Sequence, residues 1–181
     1  MQITYETERL ILRTSHISLT DMVLDYHERN QEFLKEWEPI RSEEFYSKAY
    51  QEKELLGDSY NESTLRLWIS KKENPEKIIG NIGFTGIIKG AFQSCYLGYK
   101  LDEEEINKGY MTEALQQGIQ IIWEDFGLHR IEANIMPRNK RSIKVTEKLG
   151  FLNEGISPRY LKINGVWEDH IHMVLLNDAM D

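Results

Sequence analysis

The sequence predicts a mixed α+β domain built on a twisted, mostly antiparallel sheet of about seven strands flanked by helices. Three observations carry this. From Gln93 to Phe126 the hydrophobic period changes from two to between three and four, so a strand feeds an amphipathic helix through a polar loop around Gly109. Before it, residues 63–101 hold three short alternating runs separated by turn signals, the pattern of an antiparallel meander. Further on, Asn164-Gly165 lies between two strand-like runs and supplies the positive backbone angles of a two-residue hairpin turn. With 181 residues and 40% hydrophobic content, the chain suits one domain, residues 1–181, with a sizeable core.

Taken in order, Arg9 to Thr14 reads as an edge or first strand with Leu10 and Leu12 on one face. Ser18 or Thr20 can cap the helix that follows, with Asp21 in its first turn. Residues 31–57 stay helical in pattern but are broken at Pro39, which ends one helix and leaves room for another. Ser63 to Lys71 and Lys77 to Ile88 read as strands joined by a turn at Asn74-Pro75-Glu76; a turn at Lys89-Gly90 leads to the strand carrying Cys95, Leu97, Tyr99 and Leu101. The helix stripe is Met111, Ala114, Leu115, Gly118, Ile119, Ile122 and Phe126. Arg130 to Ile135 is a short strand, and Phe151 to Ile163 with Trp167 to Leu176 forms the terminal hairpin.

Composition excludes several functions. The formal charge of −8 argues against a general nucleic-acid binder, which needs a positive surface, and suits cationic substrates better. No apolar run is long enough to cross a bilayer, and the charges at Glu6, Glu8, Arg9 and Arg13 break any signal-like run, so the expectation is a cytoplasmic protein. Cys95, the single cysteine, allows no intrachain disulfide and reads as a small buried apolar residue. His170 and His172 share a strand face with Glu168, but two histidines without a third ligand do not make a metal site, and none is assigned. Asp102 to Glu105 place four carboxylates before the Gly109 loop, where they are expected to face water.

The loop itself suggests a ligand. A strand entering a helix through Gly109 leaves first-turn amides without intrahelical acceptors, at the positive end of the helix dipole, and glycine lets an anion approach closely. The loop fits neither the dinucleotide nor the ATP-loop glycine pattern. After the helix, the run from Arg130 to Phe151 contains Asn139, Ser142, Val145, Glu147, Lys148, Gly150 and Phe151 at the spacing N-x-x-S-x-x-V-x-E-K-x-G-F. Arg138, Lys140, Arg141 and Lys144 flank Asn139, either as a solvated helix face or as partial neutralisation of phosphates.

Together these stretches resemble the GCN5-related N-acetyltransferase superfamily, and ETERLILR, KGYMTEAL and NGVWEDH look like its ribosomal-protein N-terminal acetyltransferase branch. The resemblance runs from about Thr7 to Leu176. The family's phosphate loop, Q/R-x-x-G-x-G/A, falls on Ile106 to Met111, where only Gly109 is kept. Thr146 stands where much of the family has a tyrosine.

The resemblance implies a sheet splayed at an acetyl-CoA site and transfer of an acetyl group from acetyl-CoA to a primary amine, first a protein N-terminus and second a polyamine or other small amine. A relative that binds acyl-CoA without turnover is the competing reading. The partners implied are a coenzyme A thioester and an amine acceptor, with the protein a monomer or a homodimer. Backbone groups of Tyr99, Lys100 and Leu101 would hold the pantetheine arm and polarise the thioester, and amides from Asn107 through Lys108, Gly109, Tyr110 and Met111 to Thr112 would hold the pyrophosphate. Asn139 and Ser142 would complete the cofactor site, Ser142 hydrogen-bonding the departing thiolate in place of the missing tyrosine. Trp37, Phe45, Tyr46 and Tyr50 are candidate acceptor contacts or ordinary helix packing. Glu132, Asp169 and His170 are open candidates for the base.

Overall fold

A computed structural model describes residues 2–180. Eight strands form one sheet: β1 (Thr4–Glu6), β2 (Leu10–Thr14), β3 (Thr64–Lys71), β4 (Asn74–Ile88), β5 (Ser94–Leu101), β6 (Arg130–Ile135), β7 (Leu152–Ile163) and β8 (Val166–Leu176). Their order across the sheet is β1-β2-β3-β4-β5-β6-β8-β7, and among the described residues only the β5–β6 pair is parallel. The helices are α1 (Thr20–Arg29), α2 (Gln31–Leu34), α3 (Lys48–Tyr60), α4 (Tyr110–Glu124) and α5 (Lys140–Lys148).

Alternation explains how the sheet is covered. Leu67 and Ile69 on β3, Ile82 and Phe84 on β4, and Leu97 on β5 point to one face and are buried with Leu115, Ile119 and Ile122 of α4. Trp68, between Leu67 and Ile69, points the other way and is buried with Val23 and Tyr26 of α1 and Leu55 of α3. Each such side chain contributes about 1.5–3 kcal/mol when taken from water. Gly118 lets α4 lie close to the sheet, since a Cβ there would stand 3.1 Å from the Phe84 ring. On that face α1 and α3 pack on β4 and β3, and beyond them the register places Lys100 of β5, Asn134 of β6 and His172 of β8, with His170 two residues before it.

Several local expectations need correction. The sheet has an eighth strand because β1 pairs outside β2, so Arg9–Thr14 is not the edge. Neither Ser18 nor Thr20 caps α1: a 3-10 turn over Ile17–Leu19 precedes it, capped by His16, and the Thr20 hydroxyl donates back to the Ile17 carbonyl. The β3–β4 turn lies at residues 72–73, and β4 already begins at Asn74, with a register shift that lets Pro75 sit in the strand. The hairpin turn is as expected, with Asn164 and Gly165 at φ 50° and 88°. No helix among the described residues is long and apolar enough to cross a membrane.

The four acidic residues before the loop do not all face water. Residues 103–105 wind into a 3-10 turn, whose three-residue repeat brings Asp102 and Glu105 inward at 2% and 5% exposure. Arg29 pairs with Asp102, while Lys71 and Lys108 reach Glu105 at 3.0 and 2.9 Å. Burial alone would raise both carboxyls; hydrogen bonds from Arg29 and the Glu104 amide to Asp102, and from Lys108 and Lys71 to Glu105, outweigh it and hold both below the usual range. The acids are thus neutralised before they could repel an anion at the loop.

Candidate active site

Strands β5 and β6 are hydrogen-bonded only from Ser94 to Tyr96 and Arg130 to Glu132. Beyond that they part, and the β6-facing edge of Leu97–Leu101 has no strand partner. A cavity of about 520 Å³ occupies the gap. Its lining comes from β5, the loop and first turn of α4, the end of β6, the start of α5, the α2 segment and β8.

The start of α4 opens onto this cavity. Gly109 is its N-cap at φ 82°, in the left-handed region where glycine is unstrained, and no side chain caps it. Glu113, in the first turn, holds this start in place from behind: its carboxylate accepts from the Thr7 hydroxyl at 2.6 Å and from the Arg9 amide and Nε at 2.8 and 2.7 Å. Arg9 also donates to the Lys108 carbonyl at 3.1 Å and lies 4.5 Å over the Tyr110 ring. The Lys108 side chain turns away to Glu105, so only its backbone remains for the loop. An open depression lined by Arg9, Gln116, Gln120 and Lys148 adjoins the cavity through Gly109 and Thr112.

Helix α5 begins differently. The Asn139 side chain accepts from the Ser142 amide at 3.2 Å, closing its N-terminus. Its other end is a Schellman stop: the Gly150 amide donates to the Glu147 carbonyl at 3.1 Å and the Phe151 amide to the Thr146 carbonyl at 3.0 Å, with Gly150 at φ 86°. Gly150 and Phe151 thus end the helix, and Phe151, buried, anchors it. Thr146 is fully buried, and its hydroxyl donates to the Ile143 carbonyl at 2.9 Å, so it cannot reach the cavity.

The Ser142 hydroxyl meets a group that sequence reasoning used only for its backbone. The Tyr99 hydroxyl lies 2.6 Å from Ser142 Oγ and 3.0 Å from the Ser142 carbonyl. Burial pushes the Tyr99 phenol up to about 12, against a smaller downward pull from Ser142, so it stays protonated at neutral pH. The signal was present: Tyr99 shares a strand face with Leu97 and Leu101, so its side chain enters the packed side of the sheet.

On the opposite face of the gap, Lys100 pairs with Glu38, whose carboxylate also faces Arg41 at 3.4 Å. Of the acceptor candidates, Trp37 lines the cavity, under the Arg138 guanidinium at 5.1 Å. Phe45, Tyr46 and Tyr50 do not. Phe45 is buried, with the His27, Tyr46 and Tyr50 rings packed on it at 4.8 to 5.4 Å, so this aromatic group is helix packing. Arg138 bonds Glu36 and Glu168 at 3.0 and 3.1 Å; Arg141 and Lys144 are the members of the basic run that line the cavity. Asn164 ties the hairpin tip to the segment after α2, accepting from the Ile40 amide and donating to the Lys35 carbonyl, both at 2.8 Å.

Residues 9–152 match the family model described as the acetyltransferase (GNAT) domain. The chain belongs to the GNAT acetyltransferase family. It is 36% identical over 167 residues to the [ribosomal protein uS5]-alanine N-acetyltransferase of Escherichia coli, covering 91% of this chain and 86% of that one. The ribosomal-protein-S5-alanine acetyltransferase of Vibrio fischeri superposes with a TM-score of 0.92 at 34% identity, over 99% of both chains. The same fold recurs at a TM-score of 0.87 and 24% identity in Mycobacterium smegmatis RimJ, whose structure is a complex with CoA-disulfide, over 94% of this chain and 83% of that one.

Proposed function

We propose that this GNAT protein transfers the acetyl group of acetyl-CoA to the N-terminal amine of a protein, of the ribosomal kind named for its Escherichia coli relative. One observation carries the reading: the uncapped start of α4, the unpaired edge of β5 and the Tyr99–Ser142 hydroxyl pair all open on the same cavity. The amides from Asn107 to Thr112 suit the pyrophosphate, with Arg141 and Lys144 nearby to offset its charge. The free edge of Leu97–Leu101 suits an extended amide-bearing arm, which would add to β5 as a further strand. Amides on that edge polarise the thioester carbonyl, and one such donor is worth about 3–4 kcal/mol to an oxyanionic transition state.

The steps balance as follows. The ammonium loses a proton, the neutral amine attacks the thioester carbon, the C–N bond forms as the carbonyl becomes an oxyanion, and the nitrogen, now positive, releases its second proton to water. Collapse breaks the C–S bond, and the departing thiolate takes a proton from the Tyr99–Ser142 pair, which recovers one from water. Trp37, Glu38 and Lys100 wall the side from which the amine enters.

The test is incubation with acetyl-CoA and a panel of N-terminal peptides, polyamines and alcohols, following free thiol and product mass. Acetylation at a peptide α-amine supports the reading. Acetylation confined to alcohols, or tight coenzyme binding with no transfer, overturns it.

A further inference from the structure

Of the three candidates for the base, two are already occupied. Glu132 accepts from Arg130 at 3.3 Å and faces His172 Nδ1 at 3.2 Å. Asp169 is exposed, and its carboxylate accepts from the Arg159 amide at 2.8 Å, fixing the backbone where Arg159 takes φ 53° beside the irregularity in β7. Glu38, which sequence reasoning did not weigh, lines the cavity but is shared between Lys100 and Arg41.

The two histidines of β8 also differ. Both nitrogens of His172 are engaged, Nδ1 by Glu132 and Nε2 by the Ser157 hydroxyl at 2.6 Å. His170, two residues earlier on the same face, is 4% exposed and lines the cavity. Its Nδ1 lies 3.1 Å from the Glu168 carbonyl, an atom that can only accept. Nδ1 therefore carries the hydrogen, and Nε2 carries a lone pair that no other described residue hydrogen-bonds. The Tyr160 ring packs against it at 5.6 Å. Asn134, one strand over, also lines the cavity, and its Oδ1 has no partner.

We infer that His170 Nε2 is the base that takes the proton from the acceptor ammonium, with the Asn134 carboxamide, on the same face of the neighbouring strand, as the second polar contact for the amine. The inference rests on the acetyltransferase reading of the cavity. The proton moves from the ammonium to Nε2, the freed lone pair attacks the thioester carbon, the nitrogen of the adduct gives its second proton to water as the C–S bond breaks, and His170 returns the first to water after product leaves. The imidazolium keeps its Nδ1–H bond to the Glu168 carbonyl throughout, so no rearrangement is needed. Base and acid then lie on opposite sides of the sheet: His170 on the face that carries Lys100 and Asn134, Tyr99 and Ser142 on the α5 face.

The experiment compares wild type, His170→Gln and His170→Gly on the best peptide acceptor, with coenzyme A affinity and thermal unfolding measured for each. In folded variants with unchanged coenzyme affinity, kcat should fall about a hundred-fold or more, the range for losing a general base. Added imidazole should restore part of the His170→Gly activity and leave wild type unchanged. Asn134→Ala should raise KM for the peptide more than it lowers kcat. His170→Gln within threefold of wild type, or a folded His170→Gly that imidazole does not rescue, overturns the role of His170 alone. A wild-type protein that acetylates no amine overturns the reading of the cavity as well.

Discussion

Helices α4 and α5 both begin at the cavity, and one begins open while the other begins closed. At α4 the N-cap is a glycine with no side chain to offer, so its first amides keep their hydrogen-bonding capacity. At α5 the Asn139 side chain fills that role, and the helix instead presents a side chain, Ser142, held against Tyr99. The first start offers backbone and the second offers chemistry. An isolated helix would be more stable with both ends capped, so the bare start of α4 is maintained by other means: Glu113, Thr7 and Arg9 pin it from outside the cavity. That network gives the ETERLILR and KGYMTEAL segments their shared purpose, because Thr7 and Arg9 lie in the first and Glu113 in the second.

The most disruptive change to this division is Ser142→Ala. It leaves the Asn139 cap intact, since that bond uses the Ser142 amide, and removes one hydroxyl of the donor pair. A fall in kcat of roughly ten- to a thousand-fold, with little change in coenzyme affinity, is expected. Thr146→Ala should change kcat far less, because the Thr146 hydroxyl is spent within the helix. Full activity in Ser142→Ala, with product release shown not to limit turnover, would assign the thiolate's proton to Tyr99 or water.

Closing the open start should weaken coenzyme binding. Gly109→Val places a β-branched residue at φ 82° where an anion is to approach, and coenzyme A affinity should fall about tenfold or more by calorimetry, the equivalent of about 1.4 kcal/mol. The same substitution strains the backbone by roughly 1–2 kcal/mol, so Tm is measured alongside. Unchanged affinity in the folded variant would move the pyrophosphate elsewhere.

Opening the closed start is a smaller perturbation. Asn139→Ala removes the cap of α5 and should cost about 1 kcal/mol, a drop of roughly 2–4 °C in Tm. Asn139→Asp retains the capping oxygen and should recover most of it. Coenzyme affinity lost in Asn139→Asp while Tm holds would give Asn139 a direct ligand role beyond the cap.

The smallest effect is one of pH. Burial would raise the Glu113 carboxyl, but the bonds from Thr7 and Arg9 hold it below its ordinary value of 4.5. A depressed folded value stabilises the protein above 4.5, and the contribution is lost as pH falls through the folded value. Urea unfolding from pH 7 to pH 3 should therefore show Glu113→Gln less stable than wild type at neutral pH, with the gap narrowing below about 4.5. A gap that stays constant would mean the carboxylate charge does not hold α4.

Much of the sheet was legible because alternation is a local property: Arg130–Ile135 needed no correction, and the terminal hairpin followed from Asn164-Gly165. The first-turn amides of α4 were legible for the same reason, since a strand, a glycine and an amphipathic helix lie together in sequence. What the sequence left open was every relation between side chains distant along the chain. The burial of Asp102 and Glu105 depends on a 3-10 turn meeting Arg29 of α1 and Lys71 of β3, two elements distant along the chain. The aromatic residues Phe45, Tyr46 and Tyr50 have the spacing of a binding wall, but in the fold Phe45 packs on His27 of α1, Tyr46 and Tyr50 pack on Phe45, and none of the three lines the cavity. The Tyr99–Ser142 pair joins residues 43 apart, and His170 is distinguished from His172 by which nitrogen finds an acceptor, a donor or open space. Residue type and period determine the elements; the partners available to each polar atom, set when the sheet splays between β5 and β6, decide which of its side chains are free to react.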